Sequence, residues 1–168
     1  MKTLLKVIGV IVIGLALLLA LLSITGFGPH GNTPGLWIKG DLVTTPVADW
    51  SFTDKVETAN VQTRTWYLLP HSVTTYCVSY QGQLYLTSIY REGLVYPHGR
   101  SWNEDVARDP HVRIKLGNQL YDRTLSRVTD ETLRQEVLAA KRKKYPQQKI
   151  PATSTVILFH VQDNQGPA

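Results

Sequence analysis

From Val7 to Leu22 every position is apolar or glycine, and Ser23 to Phe27 extend the run without a charge. At ~1.5 Å rise per residue, a helix from about Leu4 to about Ile24 covers ~30 Å, the thickness of a bilayer's hydrocarbon core. The pattern therefore predicts one transmembrane helix. Beyond it the apolar positions alternate instead. Leu36 to Val43, Lys55 to Gln62, Thr74 to Tyr80 and Gln83 to Tyr90 carry β-branched or aromatic residues in period-two stretches and read as strands. Gln81-Gly82 joins the last two as a hairpin, placing Tyr76, Val78 and Tyr80 on one face and Cys77 and Ser79 on the other.

Ser101-Trp102-Asn103-Glu104 has the form of a capping box, with Ser101 as cap and Glu104 reaching back, and Asp109-Pro110 ends the short helix it opens. Val112, Ile114 and Leu116 then alternate with Arg113 and Lys115. Gly117-Asn118 turns the chain into a second strand, from about Gln119 to Val128. Thr129-Asp130-Glu131 opens a longer helix with Leu133, Val137 and Ala140 on one face, Pro146 follows its basic end, and Thr155 to Val161 closes the chain as a strand. Strands, short helix, hairpin, longer helix, strand is not a βαβ order. It predicts a mainly β (α+β) fold, a small antiparallel barrel carrying a short and a longer helix and preceded by the transmembrane helix.

The segments expected are 1–26 for the cytoplasmic N-terminus and anchor, 27–35 for a Gly- and Pro-rich tether, and 36–168 for one domain, since the remaining length builds one core. The apolar run exceeds a signal peptide's ~7–15 residues and ends in a poor cleavage site, Ser23-Ile24-Thr25, so it reads as an uncleaved anchor. Lys2 and Lys6 precede it. The positive-inside rule then gives a single pass in the cell (inner) membrane with the C-terminal domain on the extracytoplasmic, periplasmic side. The formal charge of +5 includes those two lysines and is otherwise spread along the chain, which implies no nucleic-acid partner. Lys141, Arg142, Lys143 and Lys144 cluster where a helix C-terminus favours cations. Cys77 is the single cysteine, sits in an apolar strand pattern, and reads as a buried thiol.

The stretch Trp102-Asn103-Glu104-Asp105-Val106-Ala107-Arg108-Asp109-Pro110-His111-Val112-Arg113-Ile114, followed by GNQLYDRTLSRVTDETLRQEVLAAKRKKYP, resembles the flavin-binding split barrels. The family is the pyridoxamine phosphate oxidase-like superfamily and its deazaflavin-dependent nitroreductase branch. The Tyr80 to Leu86 hairpin is similar to the one that precedes the cofactor loop there, and the pattern covers about a third of the chain. Where the superfamily often has a Ser-x-Lys pair this chain has Trp102, which is closer to the deazaflavin branch. The resemblance implies a split barrel, FMN or a deazaflavin as cofactor, and a homodimer with the cofactor groove between subunits. It places the cofactor against Thr87, Ser88, Tyr90 and Arg91 at the strand end and His98, Arg100, Ser101 and Trp102 at the helix start, where free N–H groups and two arginines suit a phosphate.

The five histidines show no metal-ligand spacing, and no nucleophile elbow, Walker loop or dinucleotide fingerprint is present. No catalytic residue is assigned. His71, after Pro70, reads as an exposed loop residue, with a proton donor as the alternative. Two functions fit: a membrane-anchored flavin or deazaflavin oxidoreductase acting on a small organic acceptor, or a non-catalytic split-barrel binding or envelope accessory protein.

Overall fold

The computed structural model describes residues 2–164, so Met1 and the last four residues of the expected domain lie outside the described part. Helix α1 forms over Lys2–Thr25, and its apolar window, Thr3–Thr25, is not buried against the rest of the chain. Leu, Ile and Val therefore face outward along its length, the arrangement a hydrocarbon solvent accepts and water does not.

The strand expected over Leu36–Val43 shrinks to β1, Asp41–Leu42, which pairs parallel to a later strand. Its first half has other partners: the Leu36 N–H donates to the Phe27 carbonyl and the Ile38 N–H to Gln62 Oε1. Backbone groups satisfied in this way leave nothing for a ladder. Gly40 is needed here for close approach, because a Cβ would stand 2.2 Å from the Asn118 carbonyl oxygen. The segment 27–35, expected as a tether, lies against the domain: Phe27 N–H donates to the Trp37 carbonyl, and Gly35 exchanges main-chain bonds with Ser72.

A 3-10 turn at Ser51–Lys55 replaces the start of the next expected strand, nucleated by the Asp49 carboxylate, which accepts from the Ser51 N–H and hydroxyl. The barrel strands follow as β2 (Ala59–Arg64), β3 (Pro70–Tyr80), β4 (Gln83–Tyr90), β5 (His111–Leu116), β6 (Gln119–Arg127) and β7 (Thr155–Asp163). Every neighbouring pair among these six is antiparallel, in the order β6-β5-β2-β3-β4-β7, and β7 returns to pair with β6. The sheet thus closes, which removes the unpaired edges an open sheet of this size would expose. Gln81 and Gly82, both at positive φ, make the β3–β4 hairpin as expected.

Alternation along the closed strands fills the interior with Val61, Cys77, Leu84, Leu86, Ile114 and Phe159, all buried. Burial also pushes the Cys77 thiol above its ordinary value, in keeping with a packing role. Helix α2 (Ser101–Arg108) adds Trp102 and Val106 to this core, with Trp102 packed 5.3 Å from the Phe159 ring. Helix α3 (Glu131–Lys144) starts at Asp130, whose carboxylate accepts from the Leu133 N–H. It lies on the outer face of the sheet, where Val137 and Leu138 meet Val78, Tyr85, Val156 and Leu158. Its C-terminal end is tied down by Lys144 Nζ, which donates to the carbonyls of Thr53 and Cys77 at 2.7 and 2.9 Å.

Candidate functional site

Helix α2 begins one residue earlier than a Ser101 cap requires. Arg100 occupies the cap position with no side-chain bond, Ser101 is the first helical residue, and Glu104 Oε1 accepts instead from the Gly99 N–H at 2.9 Å. The expected Ser101–Glu104 capping box is therefore not formed, and no side chain caps the helix. The helix start borders a cavity of about 410 Å³ whose walls include Arg91, Arg100, Ser101, Trp102 and His71, with residues 31–34 on one side. Residues of the expected tether thus build part of the wall.

The site residues proposed from the sequence fall into three groups. Arg91, Arg100, Ser101 and Trp102 line the cavity. Thr87, Ser88 and Tyr90 lie in β4 with their polar atoms already engaged: the Thr87 hydroxyl donates to the Tyr76 carbonyl, Ser88 Oγ accepts from Asn103 Nδ2 at 2.9 Å, and the Tyr90 hydroxyl donates to the Pro97 carbonyl. Burial pushes the Tyr90 phenol up to about 12. These three support the wall from behind. His98 stands outside it, largely exposed and 3.9 Å from Glu104.

Of the lining groups, Arg100 is the most informative. Its guanidinium lies 5.9 Å from the Tyr90 ring centroid, and its Nε is buried without a hydrogen-bond partner. A buried donor of a charged group that is left unpaired is costly. An anion in the cavity would relieve that cost, and Arg91 and the α2 amides would share the charge. Trp102 exposes little of itself to the cavity, since it is 5% exposed and packed in the barrel core.

The sequence reads His71 as an exposed loop residue, with a proton donor as the alternative, and the structure places it elsewhere. It belongs to β3 rather than a loop, on the same alternating face as Val73 and Cys77, directly opposite Thr63 of β2. Its Nδ1 faces the buried Asp105 carboxylate at 3.7 Å; Asp105 in turn accepts from the Thr63 hydroxyl at 2.8 Å and lies 3.4 Å from Arg108 Nη2. The side chain of His71 is 14% exposed and lines the cavity, and its buried Nδ1 has no hydrogen-bond partner. Extending the period-two pattern of β3 backwards from Cys77 would have put His71 on the interior face. Its pairing with Asp105 lies beyond any local pattern. Among the described residues no group of three or more His, Cys, Asp or Glu side chains is placed to hold a metal ion.

No family model and no curated protein matches the chain. Solved structures do. A conserved hypothetical protein of Mycobacterium tuberculosis superposes with a TM-score of 0.53 at 11% identity, covering 77% of this chain and 86% of the other. A candidate pyridoxamine 5'-phosphate oxidase of Listeria innocua reaches 0.48 at 16% identity, covering 68% and 90%. An F420-H2 dependent reductase reaches 0.47 at 19% identity, covering 70% and 99%. At these identities the likeness concerns the fold. The chain is a closed six-stranded antiparallel barrel with one added strand and an apolar N-terminal helix long enough to span a membrane, and it shares the barrel fold with the Mycobacterium tuberculosis protein.

Proposed function

We propose that the protein is a membrane-anchored oxidoreductase that binds FMN or a deazaflavin in the α2 cavity and acts on a small organic acceptor. The observation that carries this reading is the orphaned Nε of Arg100, buried at a cavity that Arg91 and the first residues of α2 also line. These groups fit a phosphate or another compact anionic group. A bound flavin-type cofactor supplies the electron or hydride chemistry, and the protein's groups bind and orient it. Arg91, Arg100 and Ser101 hold the anionic arm, and Thr87, Ser88 and Tyr90 keep β4 and the following loop in position. His71, which lines the same cavity with its Nδ1 3.7 Å from the Asp105 carboxylate, is the group able to pass a proton to a reduced acceptor. The anchor is α1, with Lys2 and Lys6 on the cytoplasmic side and the barrel in the periplasm. A homodimer completing the groove belongs to the same reading.

The test is cofactor affinity of the full chain in detergent. Arg91→Ala with Arg100→Ala weakens FMN or deazaflavin binding by about 10-fold or more, since charge-assisted bonds contribute ~1.5–3 kcal/mol each. Unchanged affinity in a folded double variant removes the phosphate clamp. The burial of Trp102 favours a second reading, in which the barrel is a binding or accessory module, because little of its ring is exposed to a cofactor. A wild-type chain that stays colourless with both cofactors selects that reading.

A further inference from the structure

The β2–β3 hairpin ends in three consecutive large side chains turned to the outside: Trp66 is 79% exposed, Tyr67 50% and Leu68 94%. Trp66 and Tyr67 pack edge to face at 5.4 Å, so the tip is an organised aromatic surface. Leu68 is held at φ 67°, a conformation unfavourable for leucine, with its N–H donating to the Thr65 carbonyl. Contiguous exposed apolar surface of this kind marks a contact.

Its position says with what. The last turn of α1 leads directly to Phe27, whose N–H donates to the Trp37 carbonyl at 2.8 Å. Trp37 then shares a cleft of about 540 Å³ with Trp66, Leu68, Arg64 and Arg108. Because Gly35 is bonded to Ser72 of β3, little slack chain separates the helix end from the hairpin. An apolar run of 23 residues reaches ~34 Å, slightly more than the ~30 Å hydrocarbon core, which puts Thr25 at the headgroup level. Trp and Tyr partition to that level, and exposed arginines there meet lipid phosphates.

We infer that Trp66-Tyr67-Leu68 is a second membrane contact, seating the barrel on the headgroup layer of the bilayer that α1 crosses. This rests on the reading of α1 as a membrane anchor. The consequence is a fixed domain, held at two points, with the α2 cavity carried at a set height above the lipid.

The full chain is reconstituted into phosphatidylcholine–phosphatidylglycerol vesicles carrying bromine near the headgroup end of the acyl chains, and tryptophan quenching is recorded. α1 contains no tryptophan, and Trp50 and Trp102 are buried in the barrel. The expected result is strong quenching that Trp66→Phe largely removes while Trp37→Phe removes a smaller part. Quenching that Trp66→Phe leaves intact, or its absence in a chain that resists alkaline carbonate extraction, overturns the seating while leaving the anchor in place. Release of the chain by carbonate overturns the anchor itself and the seating with it. A tip covered by a second protein in the membrane gives the unquenched, carbonate-resistant outcome.

Discussion

The two helices that cover the barrel bury different kinds of polar group. Helix α2 buries an amide and a carboxylate that are each partly paired: Asn103, fully buried, donates to Ser88 while its Oδ1 has no partner, and Asp105 accepts from Thr63. Helix α3 buries ammonium groups. Lys144 reaches two main-chain carbonyls, but Lys141, three residues earlier and 2% exposed, has no hydrogen-bond partner and only the Tyr76 ring at 5.4 Å. A neutral amide that keeps one bond costs less than an ammonium that keeps none. The difference goes with position, because α2 borders the cavity while α3 lies on the outer face away from it.

The largest effect is expected where α2 enters the core. Trp102→Ala removes the ring packed on Phe159 and should cost ~3–5 kcal/mol, seen as a lower midpoint in urea denaturation. Cofactor affinity should fall with it, since the cavity wall loses its footing. An effect under ~1 kcal/mol would mean that α2 is not integral to the barrel.

Lys141→Met reverses the sign. Filling the same space without a buried charge should stabilise the protein by ~1–3 kcal/mol at pH 7. Burial pulls the Lys141 amine down to about 8. The fold therefore disfavours its protonated form, so wild-type stability should rise as pH climbs from about 8 towards the unfolded amine's value of ~10.4. Chemical denaturation across that range should show the rise in the wild type and lose it in Lys141→Met.

The smallest effect belongs to the Arg113–Asp122 pair, bidentate at 2.7 and 2.8 Å but about two-fifths exposed. Its hydrogen bonds with Arg113 hold the Asp122 carboxyl below its usual range. That stabilisation is present above the unfolded carboxylate's pKa of ~3.9 and is lost as pH falls through the lower folded value. Asp122→Asn should cost under ~1 kcal/mol at neutral pH, less in high salt. A larger loss would show that this pair is coupled to more of the barrel than its exposure suggests.

Much of the fold was legible because its signals are local. The Gln81-Gly82 and Gly117-Asn118 turns, the alternation on both sides of them, and the α3 boundary at Asp130 and Pro146 each depend on residues a few positions apart. The expectations failed where a distant group took over a local pattern. Leu36 and Ile38 have strand-like neighbours but bond to Phe27 and Gln62, and Ser101 has capping chemistry but falls inside the helix. Of the candidate site, the strand end and helix start were visible in the sequence, and the tertiary structure sorted them. It put Arg91, Arg100, Ser101 and Trp102 on the cavity, left His98 outside, and moved His71 from an expected loop to a strand at the cavity wall.

What the sequence by itself determined is the apolar length of α1 and the periodicity and turns of the barrel's hairpins, since each is written in consecutive residues. Only the tertiary structure decided that β7 closes the sheet onto β6, that Thr63 reaches Asp105 42 positions away, and that Lys144 reaches Thr53 91 positions away. Such pairings are chosen by closure and packing of the whole chain, and no short window of residues encodes them.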